Sequence, residues 1–194
     1  MTHQFNNHNI ILASGSPRRQ KFLKDLEIDF QIQLKPVEEI YPDHLKAEQI
    51  TDFLSELKAE AFKDNLKEKD ILITSDTIVW HNEKALGKPK TEEEAVRMIK
   101  SYINSWHKVI SSVSFTTNNQ QITKSFITKV HFGNLTDSEI THYVSTYKPM
   151  DKAGAYGIQE WIGLIGIDNI EGSYFNVVGL PTHIVYKTLN ELTN

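Results

Sequence analysis

The apolar run Ile10-Ile11-Leu12-Ala13 stops at Ser14-Gly15-Ser16-Pro17, and directly after it Phe22, Leu23 and Leu26 recur at helical spacing. A strand that turns within four residues into an amphipathic helix commits the chain to an α/β plan, in which helices cover a sheet. Alternation of Ile28, Phe30, Ile32 and Leu34 predicts a second strand with one buried face, followed by a loop over Lys35 to His44. From Lys46 to Lys63 the positions Ile50, Phe53, Leu54, Leu57 and Ala61 mark an amphipathic helix with Lys58 on its polar face. Ile71 to Ile73 reads as a buried strand interrupted by Asp76, with Ile78 to Trp80 extended again before a polar turn at His81 to Lys84.

The second half carries similar signals. Thr91 with Glu94 and Thr136 with Glu139 have the spacing of capping boxes, each opening a helix. Between them, Val109 to Phe115 and Ile122 to Phe132 form a hairpin around Thr117 to Gln120. After the Gly-rich stretch Asp151 to Gln159 and the apolar run Trp161 to Ile167, a turn near Glu171-Gly172 leads to a strand over Tyr174 to Val178, then a last helix beyond Pro181. With no repeat or linker, residues 1–194 read as one α/β domain built on a mixed, twisted sheet with helices packed on it.

Composition narrows the chemistry. Hydrophobic residues make up 39% and charged residues 24% of the chain, enough apolar surface for a core without staples. The absence of cysteine removes thiolate metal sites and disulfides, and points to a reducing compartment. The run before Ser14 is too short for a signal peptide or a membrane span, so a cytoplasmic location without membrane attachment is expected. With 21 basic against 25 acidic residues the net charge is −4, a field that repels nucleic acid. Any polyanion bound here must meet locally placed cations.

Such cations stand at the first helix. Ser16 suits the N-cap and Pro17 the first helical position, yet Arg18 and Arg19 occupy the first turn, where the helix dipole disfavours cations by about 0.3–1 kcal/mol each. Two guanidiniums, the hydroxyls of Ser14 and Ser16, and helix N–H groups together suit a phosphate chain. A surface turn with two solvated arginines fits this segment equally well on its own. Asp76 suits a divalent-cation ligand, a base towards water, or a cap for the following turn. Lys58, Lys88 in Gly87-Lys88-Pro89, and the loop pair Glu38-Glu39 are individually compatible with simple solvation. Gln159 carries an amide able to read a base edge, and the nearby glycines permit close approach to a ligand. His107, His131 and His142 lack metal-site spacing and read as structural or surface residues. No Walker motif, His-Glu-x-x-His or nucleophile elbow occurs.

In combination, Leu12-Ala13-Ser14-Gly15-Ser16-Pro17-Arg18-Arg19, Ser75-Asp76-Thr77-Ile78-Val79, Leu86-Gly87-Lys88-Pro89, the stretch Asp151 to Gln159, Glu171-Gly172-Ser173-Tyr174 and Val178-Gly179-Leu180-Pro181 resemble the Maf family of nucleotide pyrophosphatases. The resemblance implies a fold similar to the inosine-triphosphate pyrophosphatase type, with two lobes around a cleft. It also implies hydrolysis of a nucleoside triphosphate to the monophosphate and pyrophosphate with Mg²⁺ or Mn²⁺. On that pattern Asp76 is the catalytic acidic residue, and Ser14, Arg18, Arg19, Lys58 and Lys88 contact phosphate. Asp76 and Glu39 hold metal, while Arg19, Thr77 and Gln159 bear on substrate choice.

The form Asp-Lys-Ala-Gly-Ala-Tyr-Gly-Ile-Gln is that of the branch similar to dTTP and UTP pyrophosphatases, so dTTP, UTP and modified pyrimidine triphosphates are the expected substrates. Alternatives are a 7-methyl-GTP pyrophosphatase and a nucleotide-binding regulator of septum formation. A homodimer is compatible with the pattern. The chain departs from it at Glu27, where a Gly is common after the first helix, and at Ile103-Asn104-Ser105-Trp106, where Ser-Gly is frequent ahead of the position of His107.

Overall fold

In the computed structural model, which describes Phe5 and residues 7–193, the initial apolar run forms strand β1 (Asn9–Leu12) and the segment after Ser16 forms helix α1 (Pro17–Asp25). The other strands are β2 (Gln31–Ile32), β3 (Asp70–His81), β4 (Lys84–Leu86), β5 (Ser105–Thr116), β6 (Gln121–Phe132) and β7 (Ile167–Glu171). They form a seven-stranded sheet in the order β2-β1-β3-β5-β6-β7, with β4 on β3. β1 pairs in parallel with β2 and β3, whereas β4 and β7 pair antiparallel with β3 and β6, so the sheet is mixed. The remaining helices are α2 (Glu48–Glu60), α3 (Glu92–Ser101), α4 (Asp137–Tyr147), α5 (Trp161–Gly166), α6 (Tyr174–Val178) and α7 (Thr182–Thr193). None of the described helices is long and apolar enough to cross a membrane.

The chain divides into two compact units. The first comprises residues 1–76, 111–126 and 179–194, and its core includes Ile10, Leu12, Leu23, Ile71, Ile73, Phe115 and Leu189. The second comprises residues 77–110 and 127–178, centred on Ile99, Tyr102, Phe132, Tyr143, Tyr156 and Ile162. Strands β3, β5 and β6 contribute residues to both.

Capping chemistry places the helices. Thr136 Oγ1 accepts from Glu139 N–H while the Glu139 carboxylate accepts from Thr136 N–H, a complete capping box. At α3 the box is half made: Thr91 caps Glu94 N–H, but the Glu94 carboxylate takes the N–H of Lys90. Helix α1 ends in a Schellman motif, with Ile28 N–H on Leu23 O and Glu27 N–H on Lys24 O. Glu27 occupies its left-handed position at φ 56°, so the turn a Gly would make is kept with a side chain in place.

Two strand expectations are overturned. The stretch Ile28 to Leu34 yields only the two-residue β2, and Ile32 and Leu34 are 47% and 63% exposed. Alternation there reflects the burial of Ile28 under α1 rather than an apolar strand face. Tyr174–Val178 is helix α6, not strand: Gly172 at φ 129° ends β7, and Ser173 Oγ then accepts the Asn176 N–H. Asn176 is fully buried, its amide donating to Val109 O on β5 and to Thr128 Oγ1 on β6, each at 3.0 Å. A buried Asn needs such partners, and a single helical turn places it to reach them.

Candidate active site

In the first unit the turn after β1 is held by its own hydroxyls. Ser14, buried, accepts the Ser16 N–H through Oγ at 3.2 Å and the Gln20 amide through its carbonyl at 3.2 Å. Ser16 caps the helix by accepting from Arg19 N–H at 3.4 Å, with Pro17 at the first position. Cations therefore stand where the dipole is unfavourable, with no acidic side chain in the first turn to offset them. Arg19 donates from Nε to Gly179 O at 2.9 Å and from Nη1 to Ser75 O at 2.8 Å. Burial lowers its pKa from the usual arginine value; the Asp76 and Glu39 carboxylates oppose that, and neighbouring Arg18 adds to it. Arg18 is half-buried on the same turn.

Strand β3 runs unbroken from Asp70 to His81 with nearly every side chain buried, so Asp76 neither ends a strand nor caps a turn. A carboxylate inside such a strand needs a partner. Lys58, from α2, supplies it: Nζ lies 2.7 Å from Asp76 Oδ1, and the two side chains are only 17% and 9% exposed. The same ammonium reaches Glu39 Oε1 at 3.1 Å and Ser75 O at 3.5 Å. Glu39 comes from the irregular segment between β2 and α2 and is half exposed, whereas Glu38 makes no ion pair with Lys58. One lysine thus joins both carboxylates proposed as metal ligands, and the Ser75 carbonyl before Asp76 receives Arg19 and Lys58 together.

In the second unit Lys88 is exposed on the segment after β4. Gly154 N–H donates to Gly87 O at 3.0 Å, tying that segment to the Gly-rich stretch. Gly154 stands at φ 69°, and a Cβ there would lie 2.5 Å from Val79 Cγ2, so only glycine allows this approach to β3. Gln159 is exposed at the end of the stretch, on a turn gripped from below. Tyr143 OH donates to the Glu160 carboxylate and accepts the Gly157 N–H at 3.0 Å, while buried Lys152 pairs with Glu160 at 3.0 Å and Asp151 at 2.7 Å. Thr77, half-buried on β3, is the first residue of this unit.

Sequence reasoning missed three participants. The carbonyls of Ser75 and Gly179, which hold Arg19, carry no side-chain signal. The Tyr143–Glu160–Lys152 cluster was hidden because its members are 17 or fewer residues apart yet on different elements. Of the histidines, His107 is buried against the Tyr156 hydroxyl at 2.7 Å, and His131 pairs with Asp168 at 2.6 Å.

A mixed α/β chain that gathers a buried carboxylate, a lysine and an arginine beside a helix-opening phosphate-type turn has the makings of a phosphate-handling enzyme. Residues 9–192 match the family model described as Maf-like protein, and the chain belongs to that family. A relative from Christiangramia forsetii named dTTP/UTP pyrophosphatase is 63% identical over 188 residues, covering 97% of this chain and 96% of its own. Relatives of the same name from Flavobacterium johnsoniae and Bacteroides fragilis are 60% and 45% identical, each aligned over 95% of this chain and 95% and 96% of their own. The solved Staphylococcus aureus Ham1 protein aligns over 93% of this chain and 99% of its own at TM-score 0.49 and 14% identity, a likeness too slight to add to the strand order and the family match.

Proposed function

We propose that this chain is a nucleoside triphosphate pyrophosphatase that hydrolyses dTTP and UTP to the monophosphate and pyrophosphate. The observation that carries this reading is the buried Asp76 carboxylate held 2.7 Å from Lys58, on the strand whose Ser75 carbonyl is tied to Arg19. The relatives named dTTP/UTP pyrophosphatase at 45–63% identity supply the substrate class.

The net reaction adds water across the α–β phosphoanhydride. Its oxygen forms a new bond to the α phosphorus, the bond from that phosphorus to the bridging oxygen breaks, and pyrophosphate leaves with that oxygen. Asp76 takes a proton from the attacking water. Arg18, Arg19 and Lys58, all in the first unit, balance the negative charge that an acidic protein would otherwise repel, and Ser14 donates its hydroxyl to a phosphate oxygen. Thr77 and Gln159 face the choice of base, the Gln159 amide offering both a donor and an acceptor to a pyrimidine edge.

The donor set fits a hard divalent cation such as Mg²⁺ or Mn²⁺. Two carboxylates, Asp76 and Glu39, converge on one ammonium, and such ions characteristically take one or two carboxylates with the rest of their shell from substrate phosphates and water. Asp76 and Glu39 are the residues that would hold the ion. When bound, it supplies neutralisation of the phosphate oxygens. Lys58 keeps the two carboxylates compensated in its absence. The enzyme works in the cytoplasm as a nucleotide-directed protein.

The test is a product assay: purified protein with Mn²⁺ or Mg²⁺ and UTP or dTTP, followed by ³¹P NMR. Equal monophosphate and pyrophosphate are expected. Free orthophosphate with diphosphate, or no product, contradicts the reading.

A further inference from the structure

Helix α2 buries hydroxyls as well as the apolar side chains Ile50, Leu54 and Ala59. Thr51, Ser55, Thr74, Ser112 and Ser114 are all fully buried. Thr74 Oγ1 donates to Ser55 O at 2.6 Å, Ser55 Oγ meets Ser114 Oγ at 2.8 Å, and Thr51 Oγ1 meets Ser112 Oγ at 2.6 Å. Ser112 Oγ continues to Asp52 Oδ1 at 2.6 Å. Thr51 and Ser55 also bond Glu48 O and Asp52 O within the helix, at 3.1 Å and 2.9 Å, but Thr74 Oγ1 would lose its partner if α2 slid, a cost of about 1–3 kcal/mol for a buried hydroxyl.

That bond lies one step from the catalytic pair. Lys58 follows Ser55 by three residues and so shares its face of α2, while Asp76 follows Thr74 by two and shares its face of β3. The Thr74–Ser55 bond and the Lys58–Asp76 bond are adjacent rungs between the same two elements.

We propose that Thr74 is a positioning residue, and that its bond to the backbone carbonyl of Ser55 sets the register at which Lys58 meets Asp76. This rests on the pyrophosphatase reading above. Misplacement of a reacting group by about 1 Å costs on the order of 100-fold in rate, so a ladder that forbids sliding has catalytic consequences.

The test compares Thr74→Val, which removes the hydroxyl at near-constant volume, with Thr74→Ser, which keeps it. Thr51→Val is the control, breaking a rung one turn further from Lys58. Thr74→Val is expected to lower kcat for UTP about 10-fold or more with KM within about twofold, Thr74→Ser to restore kcat, and Thr51→Val to lose comparable thermal stability with kcat within about twofold. A Thr74→Val enzyme with kcat within twofold of wild type, or equal kcat losses in Thr74→Val and Thr51→Val, overturns the proposal.

A readout independent of turnover is the Lys58→Met/Asp76→Asn double-mutant cycle on unfolding. The coupling should fall at least threefold in the Thr74→Val background and hold in Thr51→Val; an unchanged coupling in Thr74→Val overturns it. A wild-type chain that releases no pyrophosphate would remove the pyrophosphatase reading, and the cycle would still decide the register.

Discussion

Lys58 Nζ sits 2.7 Å from Asp76 Oδ1 and 3.1 Å from Glu39 Oε1, so a single ammonium compensates two carboxylates that come from a strand and a loop. Replacing Lys58 with Met leaves the buried Asp76 charge without its partner and, on the proposed function, removes a phosphate contact. A charge-assisted contact in a sheltered site is worth about 2–4 kcal/mol, so kcat/KM for UTP should fall roughly 100-fold. Lys58→Arg should recover only part of this, because a planar fork does not replace a compact ammonium. Steady-state kinetics on both variants decides it, and near-wild-type activity in Lys58→Met counts against the role.

Arg19 has a second duty that its sequence position did not reveal. Its Nε and Nη1 hold Gly179 O and Ser75 O, so the side chain braces the backbone beside Asp76 as well as standing on the turn proposed to bind phosphate. Arg19→Lys keeps the charge and loses the fork. Loss of the brace should lower kcat by about 10- to 100-fold at a smaller change in KM, whereas a pure phosphate ligand would show mainly in KM.

His107 gives the fold a pH dependence. Burial, with the nearby His81 and His131, lowers its pKa to about 3, against an ordinary value of 6.5. The unfolded chain therefore binds a proton below pH 6.5 that the native state refuses. Stability is full above that pH and is lost as pH falls from 6.5 towards 3, by roughly 1.4 kcal/mol per unit. Urea unfolding at pH 7.5, 6 and 5 should show a steeper loss for wild type than for His107→Phe combined with Tyr156→Phe, which removes both members of the buried pair. Parallel profiles would show that His107 is not the source.

Glu27 holds the left-handed position of the Schellman motif at φ 56°, where a side chain costs about 1–2 kcal/mol relative to glycine. Ile28 and Leu23, the apolar pair of that motif, both lie in the first unit's core. Glu27→Gly should raise the urea midpoint, with a gain of about 1 kcal/mol in unfolding free energy and kcat unchanged. A lower midpoint would mean that the side chain stabilises the turn in a way the backbone angle does not show.

Local signals were legible where they are local in the chain. Ser16, Pro17 and the misplaced Arg18 and Arg19 announced a helix start with an anion-binding look, and Thr136 with Glu139 announced a complete box. The period-two pattern from Ile28 misled, because burial of one residue under a helix imitates the first beat of a strand. Tyr174 to Val178 misled for a related reason: five apolar-rich residues are too few to separate a strand from one turn of helix, and the deciding contact, Asn176 to Val109 and Thr128, spans 48 residues or more. Asp76 read as an interruption because its partner, Lys58, lies 18 residues away on α2. The hydroxyl ladder escaped notice because buried Ser and Thr look polar in sequence.

The most direct test of the site is turnover of UTP by wild type and by Asp76→Asn under the same divalent cation. Asn keeps an oxygen for Lys58, so the variant should fold with a thermal midpoint close to wild type, yet turnover should drop on the order of 1000-fold as the proton acceptor is lost. A folded Asp76→Asn protein that still releases pyrophosphate within tenfold of the wild-type rate would contradict the assignment of Asp76.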